Sequence, residues 1–181
     1  AIISEKRPIR KYIAYFQAFT NTYAPVNTLR QKYEEALSQP DIVGLSIATR
    51  PDCLGEDVVE LLAELNGKTK LWVELGLQTA KETSAHFIRR GYDNAVFTDA
   101  VKRLAAHDIS VVAHVIVGLP GETEVDLLKT MDYINSLPIE GVKLQLLHVL
   151  EHTDLAKLYR SGQYTPLTLE EYIDLLCACI A

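Results

Sequence analysis

Arg50, Glu74, Gln78, His114, Lys143 and Gln145 are the residues of this chain whose types and spacing suggest chemistry. Each falls on the polar parity of a run that otherwise reads as a buried strand. Val43, Leu45 and Ile47 share one face of their run, and Gly44, Ser46, Ala48 and Arg50 share the other. Leu71, Val73, Leu75 and Leu77 oppose Trp72, Glu74, Gly76 and Gln78. Val111, Ala113, Val115 and Val117 oppose Val112, His114, Ile116 and Gly118, while Val142, Leu144 and Leu146 oppose Lys143, Gln145 and Leu147. Tyr15 and Gln17 fall together in the first run. An unpaired charge facing an apolar interior costs several kcal/mol. The polar face therefore needs either a wet interior that holds a polar ligand, or a structural network in which Glu74 pairs with Lys143 or Arg50. Glu74 and His114 could also serve as acid and base.

The elements that must position these groups alternate along the chain. Strands are expected at Tyr12–Gln17, Ile42–Thr49, Leu71–Leu77, Val111–Val117 and Val142–His148. Helices are expected at Asn27–Gln39, Glu56–Asn66, Lys81–Arg90, Asn94–His107, Glu122–Asn135 and Leu167–Ile180. Successive strands lie about 30 residues apart, the period of βα units. The run Val111–Leu127 is the most informative, because a β-branched strand turns through Gly118-Leu119-Pro120-Gly121 into an acidic helix start. Such a turn lies at the carboxyl end of a parallel strand, where α/β proteins bind ligands. The chain is too short for a closed eight-stranded barrel of roughly 250 residues, and a doubly wound sheet would be apolar on both faces. Residues 1–181 read as a single α/β domain, a partial, open parallel (β/α) barrel.

A formal charge of -6 and a pI near 5.4 give no electrostatic reason to bind nucleic acid or acidic membranes through this segment. No apolar run reaches the roughly 18 residues that cross a bilayer, and no signal peptide is visible. Cys53, Cys177 and Cys179 suit a reducing cytoplasm better than a disulfide framework. The cluster Lys6, Arg7, Arg10 and Lys11 reads as a helix end leading into the first strand, and the start at Ala1 suggests a piece of a longer protein. His148-Val149-Leu150-Glu151-His152 spells the H-x-x-E-H of inverted zinc peptidases. That chemistry needs both histidines on one helix, whereas His148 closes a strand and Thr153-Asp154 caps the next helix. Tyr15, Phe16 and Tyr23 could stack on a base, or serve as core or lid residues.

The segments YFQAFTNTYAP, ATRPDCLG, ELGLQTA with FIRRGYD, and AHVIVGLPGET together resemble the radical S-adenosylmethionine (radical SAM) enzymes. Within that family they are similar to a bacterial group near the elongator catalytic subunit type. The resemblance runs from about Tyr12 to about Tyr159. It implies five strands of a (β/α)6 barrel that lays S-adenosylmethionine across its top. The family's 4Fe–4S cluster is held by a C-x-x-x-C-x-x-C loop after the first strand, and this chain has no such triplet. The missing strand and the cluster ligands are therefore expected outside this sequence.

By the same resemblance, Gln17 with Thr20-Asn21-Thr22 lies where the family contacts the methionine amino group, although Tyr-Phe-Gln replaces the usual Gly-Gly-Glu. Thr49 and Arg50 match the next strand end. Gln78 and Arg90 match a pair that contacts the cosubstrate, and an arginine there could fork onto its carboxylate. His114 lies where an Asp binds the ribose, the Gly118–Gly121 turn would approach the adenosine, and His148 falls at the adenine-contacting strand end. Glu74 joins these on the inner face. Other roles are open: Arg89 and Arg90 could both end a helix, Gln78 could cap a turn, and the glycines could simply join strand to helix. The family reading implies cleavage of S-adenosylmethionine to a 5′-deoxyadenosyl radical in the longer protein, with flavodoxin or ferredoxin as reductant. The substrate is unreadable, with RNA hinted at by the relatives. The rivals are a non-radical barrel lyase or hydrolase using Glu74 and His114, and a non-catalytic binding module.

Overall fold

The computed structural model of the chain describes residues 11–17 and 19–180. The basic cluster Lys6, Arg7 and Arg10 lies outside the described residues. The strands are β1 (Tyr12–Phe16), β2 (Ile42–Thr49), β3 (Lys70–Gln78), β4 (Ser110–Val117) and β5 (Gly141–Leu146). The helices are α1 (Val26–Leu37), α2 (Glu56–Asn66), α3 (Glu82–Phe87), α4 (Asn94–Ala105), α5 (Glu124–Asn135), α6 (Asp154–Arg160) and α7 (Leu169–Ile180). The sheet runs β1-β2-β3-β4-β5, every pair parallel. A doubly wound sheet reverses its strand order midway. Here each strand is simply added beside the last, so the connecting helices accumulate on one face and the sheet curls into a half-barrel.

The helix-covered face is the core. Leu45, Ile47, Val73, Leu75, Leu77, Val111, Ala113, Val115 and Val117 are at most 1% exposed. They form one cluster with Tyr33 of α1, Leu62 and Leu65 of α2, Phe97 and Leu104 of α4, and Ile134 of α5. Each fully buried aliphatic side chain is worth about 1.5–3 kcal/mol. Val43 and Val142 share that parity but are 40% exposed, because one sits at a strand start and the other on the edge strand.

Local signals set the boundaries. The helix expected from Glu122 starts at Glu124, because Thr123 is its N-cap and exchanges a capping box with Asp126. The Thr153 side chain accepts from Ala156 N and opens α6 as its sequence suggests. Helix α3 stops at Phe87, short of Arg90. Arg89 is left-handed (φ 56), and Arg89 N and Arg90 N donate to His86 O and Ala85 O, the paired bonds of a Schellman cap. None of the α7 residues is buried; Tyr172 anchors the helix by donating to Leu144 O at 3.2 Å.

Candidate functional site

The concave face carries a polar cavity of about 300 Å³ lined by the inward positions of all five strands and the residues at their carboxyl ends. Its centre is Glu74, in the middle strand. Oε1 accepts from Ser46 Oγ at 2.6 Å and from Trp72 Nε1 at 3.3 Å. Oε2 accepts from Tyr15 Oη at 2.8 Å, pairs with His114 Nε2 at 2.6 Å and accepts from Lys143 Nζ at 3.4 Å. Lys143 Nζ also donates to Tyr15 Oη at 2.9 Å and lies 5.2 Å from the Tyr15 ring centre. The edge strands β1 and β5 are thereby tied across the hollow through the carboxylate of β3.

Burial pushes the Glu74 carboxyl up, but the bonds from Ser46, Tyr15, His114 and Trp72 outweigh it and hold the carboxyl at about 2. Burial lowers His114 below its ordinary value, opposed by the Glu74 carboxylate and assisted by Lys143. Lys143 is raised by its bond with Tyr15 and by the charge of Glu74. At neutral pH the trio is a carboxylate, a neutral imidazole and an ammonium. A carboxylate held that acidic has no proton to give near neutrality, so in this pair Glu74 orients the imidazole and only His114 is placed to exchange a proton. The pairing of Glu74 with Lys143 is present, whereas Arg50 turns to Asp52 instead.

Above this floor stand the strand-end residues. Arg50 forks onto Asp52, Nε to Oδ1 at 2.9 Å and Nη2 to Oδ2 at 2.6 Å, which raises the guanidinium and lowers the carboxyl. Its Nη1 edge has no protein partner among the described residues. Gln78 is left-handed (φ 66) where the β3–β4 ladder slips between Gly76 and Gln78, a conformation costing on the order of 1 kcal/mol. The amide folds back over Gly76, where a Cβ would meet Gln78 Nε2 at 2.8 Å and Tyr92 Oη at 3.0 Å. Tyr92 donates to Gly76 O at 2.6 Å. The carboxamides of Gln17, Gln78 and Gln145 line the cavity with no hydrogen-bond partner among the described residues.

Thr49 also lines the cup, but its hydroxyl pairs with Thr22 Oγ1 at 2.6 Å. Asn21 Nδ2 donates to Phe16 O and Ala48 O, tying β1 to β2. Of the expected contacts, Gln17, Thr49, Arg50, Glu74, Gln78 and His114 meet in the cup, while Arg90, Gly118, Gly121 and His148 lie outside its lining. The Arg90 side chain is 1% exposed. It donates to the backbone oxygens of Leu77, Thr79 and Tyr92, to Asn94 Oδ1 and to Glu82 Oε2. Its fork holds the β3–α4 connection. At Gly118 (φ 89) a Cβ would meet Leu167 Cδ1 at 2.9 Å, and Tyr164 donates to Gly118 O. The close approach is thus made by the chain's own C-terminal segment. A Cβ at Gly121 would meet nothing within 4 Å, its carbonyl accepts from Lys81 Nζ at 3.1 Å, and His148 is exposed in the loop after β5.

Tyr15, Ser46 and Lys143 share the inward parity read from the sequence, but nothing local says that they converge on one carboxylate. Tyr92, a loop residue of the FIRRGYD segment whose ring lies near the guanidiniums of Arg50 (5.3 Å) and Arg90 (5.0 Å), carries no sequence mark that places it at the cup. His148 and His152 lie in the loop between β5 and α6, so the H-x-x-E-H string does not set both histidines on one helix as that chemistry needs. Cys53 and Cys179 are half-buried and Cys177 is exposed. These cysteines do not fit an iron–sulfur cluster. Among the described residues no helix is long and apolar enough to cross a membrane.

Residues 2–134 match the Radical SAM superfamily and residues 139–181 the Radical_SAM C-terminal domain. The chain is 49% identical over 173 residues to the uncharacterized protein YtqA of Bacillus subtilis, covering 96% of this chain and 54% of that protein. It is 40% identical over 164 residues to protein YhcC of Escherichia coli, covering 90% and 53%. The chain thus spans about half the length of the curated relatives it matches. The solved archaeal Elp3 of Methanocaldococcus infernus superposes with a TM-score of 0.82 at 21% identity, covering 98% of this chain and 46% of that one. That superposition supports the half-barrel fold. By the match over most of its length, the chain belongs to the radical SAM superfamily.

Proposed function

We propose that the cup is the S-adenosylmethionine site of a radical SAM enzyme, and that Gln17, Arg50, Gln78 and Gln145 hold the cosubstrate at the strand ends. The observation that carries the reading is the ring of unpartnered carboxamides and the open guanidinium edge around a polar hollow. These groups fit a zwitterionic amino acid joined to a nucleoside: the Arg50 edge suits its carboxylate, and amides donate and accept for its ammonium and hydroxyls. S-adenosylmethionine bound beside a reduced 4Fe–4S cluster supplies hydrogen-atom abstraction. This chain's residues bind and orient the cosubstrate and exclude water from it. The cluster ligands belong to a part of the whole protein outside this sequence, which fits the greater length of the relatives. A flavodoxin or ferredoxin is the reductant, the setting is the cytoplasm, and RNA is the substrate class suggested by relatives named as tRNA-modifying enzymes.

The test is calorimetric titration of S-adenosylmethionine into the whole, cluster-loaded protein. Binding is expected, weakened in Arg50→Met by about 1.5–3 kcal/mol, the worth of a charge-assisted contact. No binding by the wild type overturns the reading, and unchanged affinity in Arg50→Met removes that contact.

A further inference from the structure

The Arg50 guanidinium at the end of β2 is held by more than its ion pair. Its Nε and Nη2 fork onto Asp52, but the two side chains are 44% and 32% exposed, and such a pair fixes little by itself. Two further groups bound the same guanidinium. Its central carbon lies over the Tyr92 ring, 5.3 Å from the centre, within reach of the ring's negative face. A Cβ at Gly91 (φ 89) would meet Arg50 Nη2 at 3.2 Å and Nη1 at 3.8 Å, so the Gly91 backbone abuts it as well. Tyr92 is itself pinned at both ends. Its carbonyl accepts from Nε of the buried Arg90 at 2.8 Å, and its hydroxyl donates to Gly76 O at 2.6 Å. Burial pushes that hydroxyl up to about 12 although both guanidiniums oppose it, so it stays protonated and keeps donating.

We infer that Tyr92 is a positioning residue for the cosubstrate: its ring, anchored to β3 through Gly76, holds the Arg50 guanidinium in place with the Nη1 edge left for a ligand carboxylate. Both Arg50 and Tyr92 line the cup. An arginine held by Asp52 alone would keep much of its side-chain freedom, and ordering it at the moment of binding costs entropy. The aromatic face and the Gly91 backbone remove that freedom before the ligand arrives. Arg90 then has a share in the site without lining it, because it fixes the backbone that carries the ring. The identity of the ligand rests on the cosubstrate reading above; the ordering of Arg50 by Tyr92 does not.

The experiment is calorimetric titration of S-adenosylmethionine into the whole, cluster-loaded protein. Tyr92→Leu should weaken binding by about three- to tenfold, the worth of a cation on an aromatic face, while Tyr92→Phe, which keeps the face, should retain most of the affinity. In an Arg50→Met background Tyr92→Leu should cost nothing further. Equal losses in the two backgrounds, no loss in Tyr92→Leu, or a Tyr92→Phe as weak as Tyr92→Leu overturns the inference. Against a leucine variant that does not fold, Tyr92 is also replaced by trifluorophenylalanine, a ring of similar size whose face no longer attracts a cation. That protein should bind as weakly as Tyr92→Leu, and affinity equal to Tyr92→Phe overturns the inference. Nitrogen-15 relaxation of the Arg50 Nε–H, in the ligand-free protein with the cluster oxidised, reads the positioning apart from the cosubstrate. Arg50 should be ordered in wild type and looser in both ring-altered proteins. Absence of S-adenosylmethionine binding in wild type sinks the cosubstrate reading, whereas Arg50 order that ignores the ring sinks the role of Tyr92.

Discussion

The two faces of the sheet are built from the same five strands by alternate residues, yet they are stabilised in opposite ways. On the helix side Leu75 and Val73 are fully buried in an aliphatic cluster, where burial is additive and non-directional. On the hollow side Glu74, between them in sequence, is held by five directed bonds, one from each of the five strands. The first face stabilises the barrel whatever its precise geometry. The second depends on geometry, since a carboxylate this buried is stable only while its donors converge. Two arginines beside the Tyr92 ring repeat the contrast. Arg90 is buried and engaged by backbone carbonyls, Asn94 and Glu82, while Arg50 lines the cup with its Nη1 edge unpartnered among the described residues.

Substitutions separate the faces by size of effect. Leu75→Ala should be the most damaging, about 3–5 kcal/mol by denaturant unfolding, as a cavity in a close-packed core. A loss under about 1 kcal/mol would mean that the helix face is loosely packed. Arg90→Met leaves buried carbonyls unpaired and should cost about 2–3 kcal/mol; near-neutrality would return Arg90 to the list of ligand contacts. Glu74→Gln should cost on the order of 2 kcal/mol at neutral pH. The Glu74 pKa is depressed on folding, so its contribution is fully present above its unfolded value near 4.5 and is lost as pH falls toward about 2. Stability measured across that window should therefore fall less steeply in Glu74→Gln than in wild type. Parallel curves would show that the donors do not hold the carboxylate. Gly76→Ala should cost only about 1 kcal/mol, because the atoms it meets are the ends of flexible side chains. It should nonetheless displace the Gln78 amide and weaken S-adenosylmethionine binding, a separation of affinity from stability readable by calorimetry.

The strands and the division into two faces were legible because period-two alternation is a direct consequence of the pleat. The cup followed from counting charges on one parity, and the half-barrel follows from strands spaced one βα unit apart. Arg90 was not legible. Whether Arg89 or Arg90 turns inward is decided by a left-handed residue at Arg89, and a non-glycine in that conformation has no reliable sequence mark. The convergence of Tyr15 and Lys143, 128 residues apart, depends on curvature, which alternation does not encode. The Gly118–Gly121 turn was recognised as a turn, but its neighbour proved to be Leu167, a long-range contact beyond any local pattern.

The most direct test is a crystal structure of the whole, cluster-loaded protein with S-adenosylmethionine. The account predicts the cosubstrate in the hollow, its carboxylate on the free edge of Arg50 and its polar atoms on the Gln17 and Gln78 amides, with Arg90 still on its carbonyls. Cosubstrate bound outside the hollow, or Arg90 withdrawn from Leu77 and Thr79 to grip it, would contradict the account.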